Sequence, residues 1–155
     1  MRIAIAADHN GVALKARLVE RLTAAGHEVT DHGTDDEHTV VDYPALCVSV
    51  GRAVVGGAAD RGIIVGGSGQ GEHIACNKIR GIRAGLCFDR FTTEISRANN
   101  DSNMLVIGAK VTPSELAEEL TDLWLSTPFR GGRHQTRVDQ IMAIERTELD
   151  PTEPG

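Results

Sequence analysis

The sequence predicts an α/β protein: one domain built on a five-stranded parallel sheet with helices on both faces. Short apolar runs alternate with segments of helical spacing along the chain, which is the pattern of strands joined by crossover helices. No internal repeat and no linker interrupts that alternation, so residues 1–149 read as a single domain and 150–155, DPTEPG, as a frayed tail. Only 3% of the residues are aromatic, so the core is expected to consist of Ala, Val, Ile and Leu.

The elements follow in order. RIAIAA, Arg2 to Ala7, reads as the first strand. Val12 to Ala25 has helical spacing through Val12, Leu14, Leu18, Val19 and Leu22, and Gly26 ends it. HEVTDH is the second strand. A polar loop from Gly33 to Asp42 leads to Tyr43-Pro44, which opens a helix to about Val55. GIIVGG is the third strand, and the helix after its glycines ends near Lys78. IRAGLCF is the fourth strand, followed by a helix from Thr92 to Ala98. NMLVIG is the fifth. Thr112-Pro113-Ser114-Glu115 starts a helix with proline in its first turn, running to Leu125. A last helix carries Val138, Ile141, Met142 and Ile144.

A chain of 155 residues with 41% hydrophobic and 25% charged residues has the profile of a soluble globular protein with a real core. Its net charge of −6 argues against a general nucleic-acid or acidic-membrane binder, so a phosphate site must be a local cluster of positive side chains. No apolar run approaches the length of a membrane span, and Arg2 is followed at once by a strand instead of a signal peptide. Cys47, Cys76 and Cys87 lack metal-ligand spacing and lie inside apolar elements; they read as buried thiols in a reducing cytoplasm.

Parallel sheets bind ligands beyond the carboxyl ends of their strands. Asp8-His9-Asn10-Gly11 ends strand one there, either capping the next helix or presenting Asp8 and His9 to a ligand. Gly66-Gly67-Ser68-Gly69-Gln70-Gly71 has more glycine than a turn needs and lets backbone N–H groups approach an oxyanion. A dinucleotide fingerprint has G-x-G-x-x-G after the first strand; here the spacing is G-x-G-x-G after the third. Asp89 stands where the ribose-binding acid would. Glu72 is either an ordinary helix-start carboxylate favoured by the dipole or a general base at the mouth of a pocket. His73 belongs on the helix surface. Lys110 follows strand five. Arg133, His134 and Arg137 fall within one helical turn, and the two arginines share a face suited to a phosphate dianion or to a solvated basic patch. Asp31, His32, Asp35, Asp36 and His38 resemble a metal cluster only in composition and read as a solvated loop, so no metal site is expected.

ADHNGVALK, DYP, GGSGQGEHIACNKIRGIRA, NNDSNMLVIGAKV and GGRHQTRVDQI, taken together over nearly the whole chain, resemble the ribose-5-phosphate isomerase B family of sugar-phosphate isomerases. The resemblance implies a three-layer, Rossmann-like (flavodoxin-like) fold, and a homodimer or dimer of dimers whose active sites are shared between subunits. It also implies interconversion of aldose and ketose phosphates through an enediol without metal or organic cofactor. One branch of that family uses a cysteine as base at the end of strand three. That position is Gly66 here, which excludes the cysteine mechanism. The other branch has Ser68 and a glutamate in the place of Glu72, and that glutamate is the base.

By the same resemblance the backbone around Gly67, Ser68, Gly69, Gln70 and Gly71 holds the enediolate oxygen, and Ser68 helps move hydroxyl protons. Asp8 and His9 contact the sugar, Asn100 binds near its carbonyl end, and Arg133, His134 and Arg137 bind phosphate. Lys110 stands where the family usually has arginine, giving a point charge in place of a bidentate contact. Asn99 stands where the family commonly has the histidine that opens the furanose ring, and asparagine is no general acid near neutral pH. Ribose 5-phosphate is the expected substrate. A tetrose 4-phosphate, which cannot close a furanose ring, is the alternative, and a silent sugar-phosphate or nucleotide-binding module is the rival from another class.

Overall fold

A computed structural model describes residues 1–149, with side chains to residue 146. The chain forms β1 (Arg2–Ala7), α1 (Val12–Ala24), β2 (Glu28–Asp31), α2 (Tyr43–Val55), β3 (Arg61–Gly66), α3 (Gln70–Cys76), β4 (Ala84–Leu86), α4 (Arg90–Ala98), β5 (Met104–Gly108), α5 (Ser114–Ser126) and α6 (Arg133–Leu149). All pairings are parallel and the strand order is β2-β1-β3-β5-β4. The expected frayed tail lies outside the described residues. No helix among the described residues is long and apolar enough to cross a membrane.

The period of two along each strand divides the core into two layers. Ile3, Ile5, Ile63, Val65, Leu105 and Ile107 meet Leu14, Leu18 and Leu22 of α1 and Ala117 and Trp124 of α5. Ala4, Ala6, Ile64, Met104 and Val106 meet Cys47 and Val50 of α2 and Cys76 of α3. Each fully buried Ile or Leu contributes about 1.5–3 kcal/mol, so both faces of the sheet must be covered. The three cysteines are buried as expected. The Cys76 thiol is raised out of the reactive range by Cys47 and by burial, and burial pushes Cys87 up to about 11.

Three boundaries differ from expectation, each for a local reason. β4 is only three residues long, because Arg83 is already tied off: its N–H donates to Asn103 Oδ1 at 2.8 Å. α3 stops at Cys76, and Lys78 N–H closes a tight turn on Ala75 O. α4 starts at Arg90 because Asp89 Oδ1 accepts from Thr92 N–H at 2.8 Å, a helix cap. That cap occupies the acid which a ribose-binding reading needs.

Candidate active site

The sheet order reverses direction between β1 and β3, and ligands of open α/β sheets bind at such a switch point. There β3 runs into Gly67, Ser68 and Gly69, and α3 begins. Gly69 has φ +79°, and Leu86 Cδ1 stands 2.6 Å from where its Cβ would be. Gly108 on β5 admits the backbone of Ser68, whose carbonyl oxygen would lie 2.5 Å from a Cβ there. Glycine at both positions therefore lets the loop lie on the end of the sheet. The first-turn amides of α3 precede the point where a helix supplies its own acceptors.

Glu72, in that first turn, is 4% exposed. Its carboxylate lies against Gly66, where a Cβ would be 2.1 Å from Oε1 and 2.7 Å from Oε2. Burial raises its pKa above the ordinary 4.5; its own backbone N–H pulls the other way, and the charge of Asp8 adds to the rise. Dipole stabilisation at a helix start lowers a carboxylate's pKa, and at Glu72 burial is the larger influence. A carboxylate with a raised pKa in a cleft has the profile of a general base.

Asp8 faces the same site and is 5% exposed. It does not cap α1, whose N-cap is Gly11 with no side-chain bond. Instead Oδ1 accepts from Asn10 N–H at 2.9 Å and Oδ2 from Asn10 Nδ2 at 2.8 Å. His9 is half-buried, with Asn10 Nδ2 3.1 Å from Nε2 and Val41 N–H donating to Nδ1 at 3.4 Å. Ser68 and Gln70 are exposed, and Gln70 N–H donates to Ser68 Oγ at 3.3 Å. Lys110, an exposed residue, donates its N–H to Gly67 O at 2.9 Å, which places its backbone beside the glycine loop.

Sequence reasoning missed two groups here. Tyr43 packs its hydroxyl on Gly71, where a Cβ would meet Tyr43 Oη at 2.3 Å. Asn10 brackets Asp8. The signals were Tyr43 as the only tyrosine and Asn10 directly after Asp8 and His9. His73 is also not a free surface group: it is half-buried, with Nε2 3.1 Å from Ala84 O.

Asn99, Asn100, Arg133, His134 and Arg137 lie at the other end of the sheet. α4 leaves the carboxyl end of β4 and returns to the amino ends, where Arg83 Nε donates to Asn100 O at 3.2 Å. Asn99 Oδ1 accepts from Arg130 Nη1 at 3.3 Å, and Arg130 N–H donates to Ala98 O at 2.9 Å, so α6 starts there too. A five- or six-residue strand spans roughly 17–20 Å. One chain therefore does not bring these five residues to Glu72.

Among the described residues neither Arg133 nor Arg137 has a carboxylate within ion-pair distance, whereas Arg17, Arg21, Arg97 and Arg130 all do. Desolvation, then the charges of Arg133, Arg137 and Arg130, press His134 below the ordinary histidine range. That arrangement suits a dianion.

Among known proteins, the chain is 44% identical to ribose-5-phosphate isomerase B of Escherichia coli over 146 residues, covering 94% of this chain and 97% of that one. The Clostridium thermocellum ribose-5-phosphate isomerase B structure superposes with a TM-score of 0.93 at 42% identity, covering 96% of this chain and 99% of that one. The Mycoplasma genitalium ribose-5-phosphate isomerase B structure, which has ribulose-5-phosphate bound, gives a TM-score of 0.90 at 32% identity, covering 94% and 96%. A flavodoxin-like sheet with this site defines an isomerase of the aldose–ketose class. The chain belongs to the ribose/galactose isomerase family, whose model matches residues 3–141.

Proposed function

We propose that this protein interconverts ribose 5-phosphate and ribulose 5-phosphate through an enediol, with Glu72 as the base. The observation that carries this reading is the Glu72 carboxylate, buried in the niche left by Gly66 and raised in pKa. Glu72 takes the proton from C2 of the open-chain aldose as the C2–H electron pair becomes the C1–C2 double bond. The carbonyl π pair becomes the oxyanion on O1. Backbone N–H groups of Ser68 to Gly71 hold that oxygen. Ser68 moves the proton between O2 and O1, and Glu72 returns its proton to C1, leaving the ketone at C2. The chemistry needs no metal or organic cofactor, and Gly66 offers no thiol to act as base.

Asp8 and His9 bind the sugar hydroxyls, and Lys110 adds a point charge. Arg133 and Arg137, with no carboxylate within ion-pair distance among the described residues, bind the phosphate with His134, and Asn99 and Asn100 complete the site. Because these last five lie at the far end of the chain that carries Glu72, the site is built from two subunits of a homodimer or dimer of dimers. Three buried thiols suit a reducing cytoplasm.

The test is incorporation of solvent deuterium at the reacting carbon of ribose 5-phosphate. Exchange is expected in the wild type and lost in Glu72→Gln. Binding without exchange in the wild type makes the protein a silent sugar-phosphate module.

A second reading rests on Asn99. Its amide accepts from Arg130 and transfers no proton, so ring opening is left to His9 or Asp8 or is not needed. An erythrose 4-phosphate/erythrulose 4-phosphate isomerase needs none. Turnover of the pentose and tetrose phosphates side by side decides it. Preference for the tetrose, with the pentose restored by Asn99→His, selects the second reading; robust pentose turnover with no tetrose activity removes it.

A further inference from the structure

Arg83 immediately precedes β4, and its side chain is only 19% exposed. Its guanidinium reaches two parts of the chain. Nε lies 3.2 Å from both Asn100 O and Asp101 O, and Nη2 donates to Asp101 O at 2.8 Å and to Asp101 Oδ2 at 3.2 Å. On its other side Nη1 donates to Met142 Sδ of α6 at 3.6 Å. The Asn99–Asn100 turn and the helix that carries Arg133, His134 and Arg137 thus meet on one planar fork, a shape that lysine does not reproduce.

The turn needs such support. Asp101 has φ +46°, and among the described residues it is the only one other than glycine with a positive φ. A side chain persists in that region only where its surroundings over-determine it. Arg97, whose side chain is 6% exposed, supplies one hold: Nη1 donates to Asp101 Oδ1 at 2.8 Å and to Ser102 O at 2.5 Å. Arg97 belongs to α4 itself, so that hold is local. Arg130 joins the start of α6 to Asn99, and Arg83 makes a second join further along the helix. Two separated joins fix a helix's direction where one does not.

We propose that Arg83 is a positioning residue: its guanidinium holds the Asn99–Asn100 turn and α6 in register, so that Asn100 and the Arg133–Arg137 face meet the glutamate of the second subunit as one unit. This rests on the reading of the site as shared between two subunits. The hold on the turn is a property of the free chain.

Amide hydrogen exchange tests the hold. Asp101 N–H donates to Arg97 O at 3.1 Å and Ser102 N–H to Ser96 O at 3.0 Å. In Arg83→Met both amides are expected to exchange faster by about tenfold or more. That variant leaves Asp101 paired with Arg97, so no buried charge is stranded. Should it not fold, Asp101→Asn takes its place, because asparagine suits the left-handed backbone but accepts through one oxygen only; Ser102 N–H then reports the exchange.

Subunit mixing tests the function. With ribose 5-phosphate, kcat/KM of Arg83→Met is expected to fall by about tenfold to a hundredfold. Refolded with Glu72→Gln it should regain turnover, because one site of the hybrid has both an intact Glu72 and an intact Arg83. Refolded with Arg137→Ala it should not, because both defects then lie in the contributed half of a site. A merely structural role would not produce that asymmetry. Unchanged exchange, unchanged kcat/KM, or recovery with Arg137→Ala overturns the proposal. If Glu72→Gln and Arg137→Ala do not complement each other, the shared-site reading fails, while the exchange rates still decide whether Arg83 holds the turn.

Discussion

Glu72 fills the space that a side chain at residue 66 would take. Gly66→Ala is thus expected to fold nearly as well as the wild type. The obstructing group is a side-chain end that can rotate, at a cost of roughly 0.5–1.5 kcal/mol. Turnover should drop by about a hundredfold, because the carboxylate is moved off its position. Thermal melts and steady-state rates on the same preparation check both halves.

The raised pKa of Glu72 has two further consequences. The acidic limb of kcat/KM against pH should lie above 4.5, and Asp8→Asn should move it down by removing a negative neighbour, whatever it does to the maximum. For stability the sign is the reverse of an ordinary salt-bridged acid. The folded chain holds this proton more tightly than the unfolded chain, so ionised Glu72 costs stability above its folded pKa. That cost fades as pH falls toward 4.5. Glu72→Gln should therefore melt higher than wild type at pH 8, with the gain shrinking in acid.

At the scale of elements, α1 shows how one charge can be both hidden and informative. Lys15 stands three and seven residues before Leu18 and Leu22, on the buried side of the helix. That spacing was legible in the sequence, but its partners were not, since Asp31 and Asp35 are brought to it only by the pairing of β1 with β2. The loop that reads as solvated by composition is accordingly pinned at its start. Removing both acids, in Asp31→Asn with Asp35→Asn, leaves the ammonium buried and unpaired and should cost about 3–5 kcal/mol in denaturant unfolding. Lys15→Met should cost less, because the freed carboxylates reach water.

The same contrast runs through the other elements. Apolar runs and helical spacing sufficed to find all five strands and the six helices of the described residues. They did not set the ends of β4, α3 and α4, which depend on Asn103, on a tight turn at Lys78 and on the Asp89 cap. The glycine loop, Glu72 and Asp8 were legible because parallel sheets gather ligands at one edge. Tyr43 reaches Gly71 through tertiary packing, which no local pattern encodes.

At the scale of the whole molecule, the candidate residues divide between opposite ends of the sheet. A groove of about 460 Å³ beside α4 and α6 is lined by Phe91, Ile95, Asn100 and Ile141, and Phe91, Ile141 and Ile144 are exposed. Exposed apolar side chains of this size at one place suit a surface that another chain covers. If the site is shared as proposed, Glu72→Gln and Arg137→Ala are each inactive alone. Refolded together, they form hybrids in which one site has an intact Glu72 and an intact Arg137. Recovered turnover in the mixture is the expected result. Two inactive variants that stay inactive when mixed would place the whole site within one chain.

The niche at Gly66 also constrains how such a protein can change over generations. A thiol at position 66 and the carboxylate of residue 72 compete for one volume, so they are alternatives and not additions. If Glu72 is the base as proposed, a thiol gained first would displace it, and a glutamate lost first would leave none. On that reading, exchanging one base for the other requires paired substitutions at positions 66 and 72.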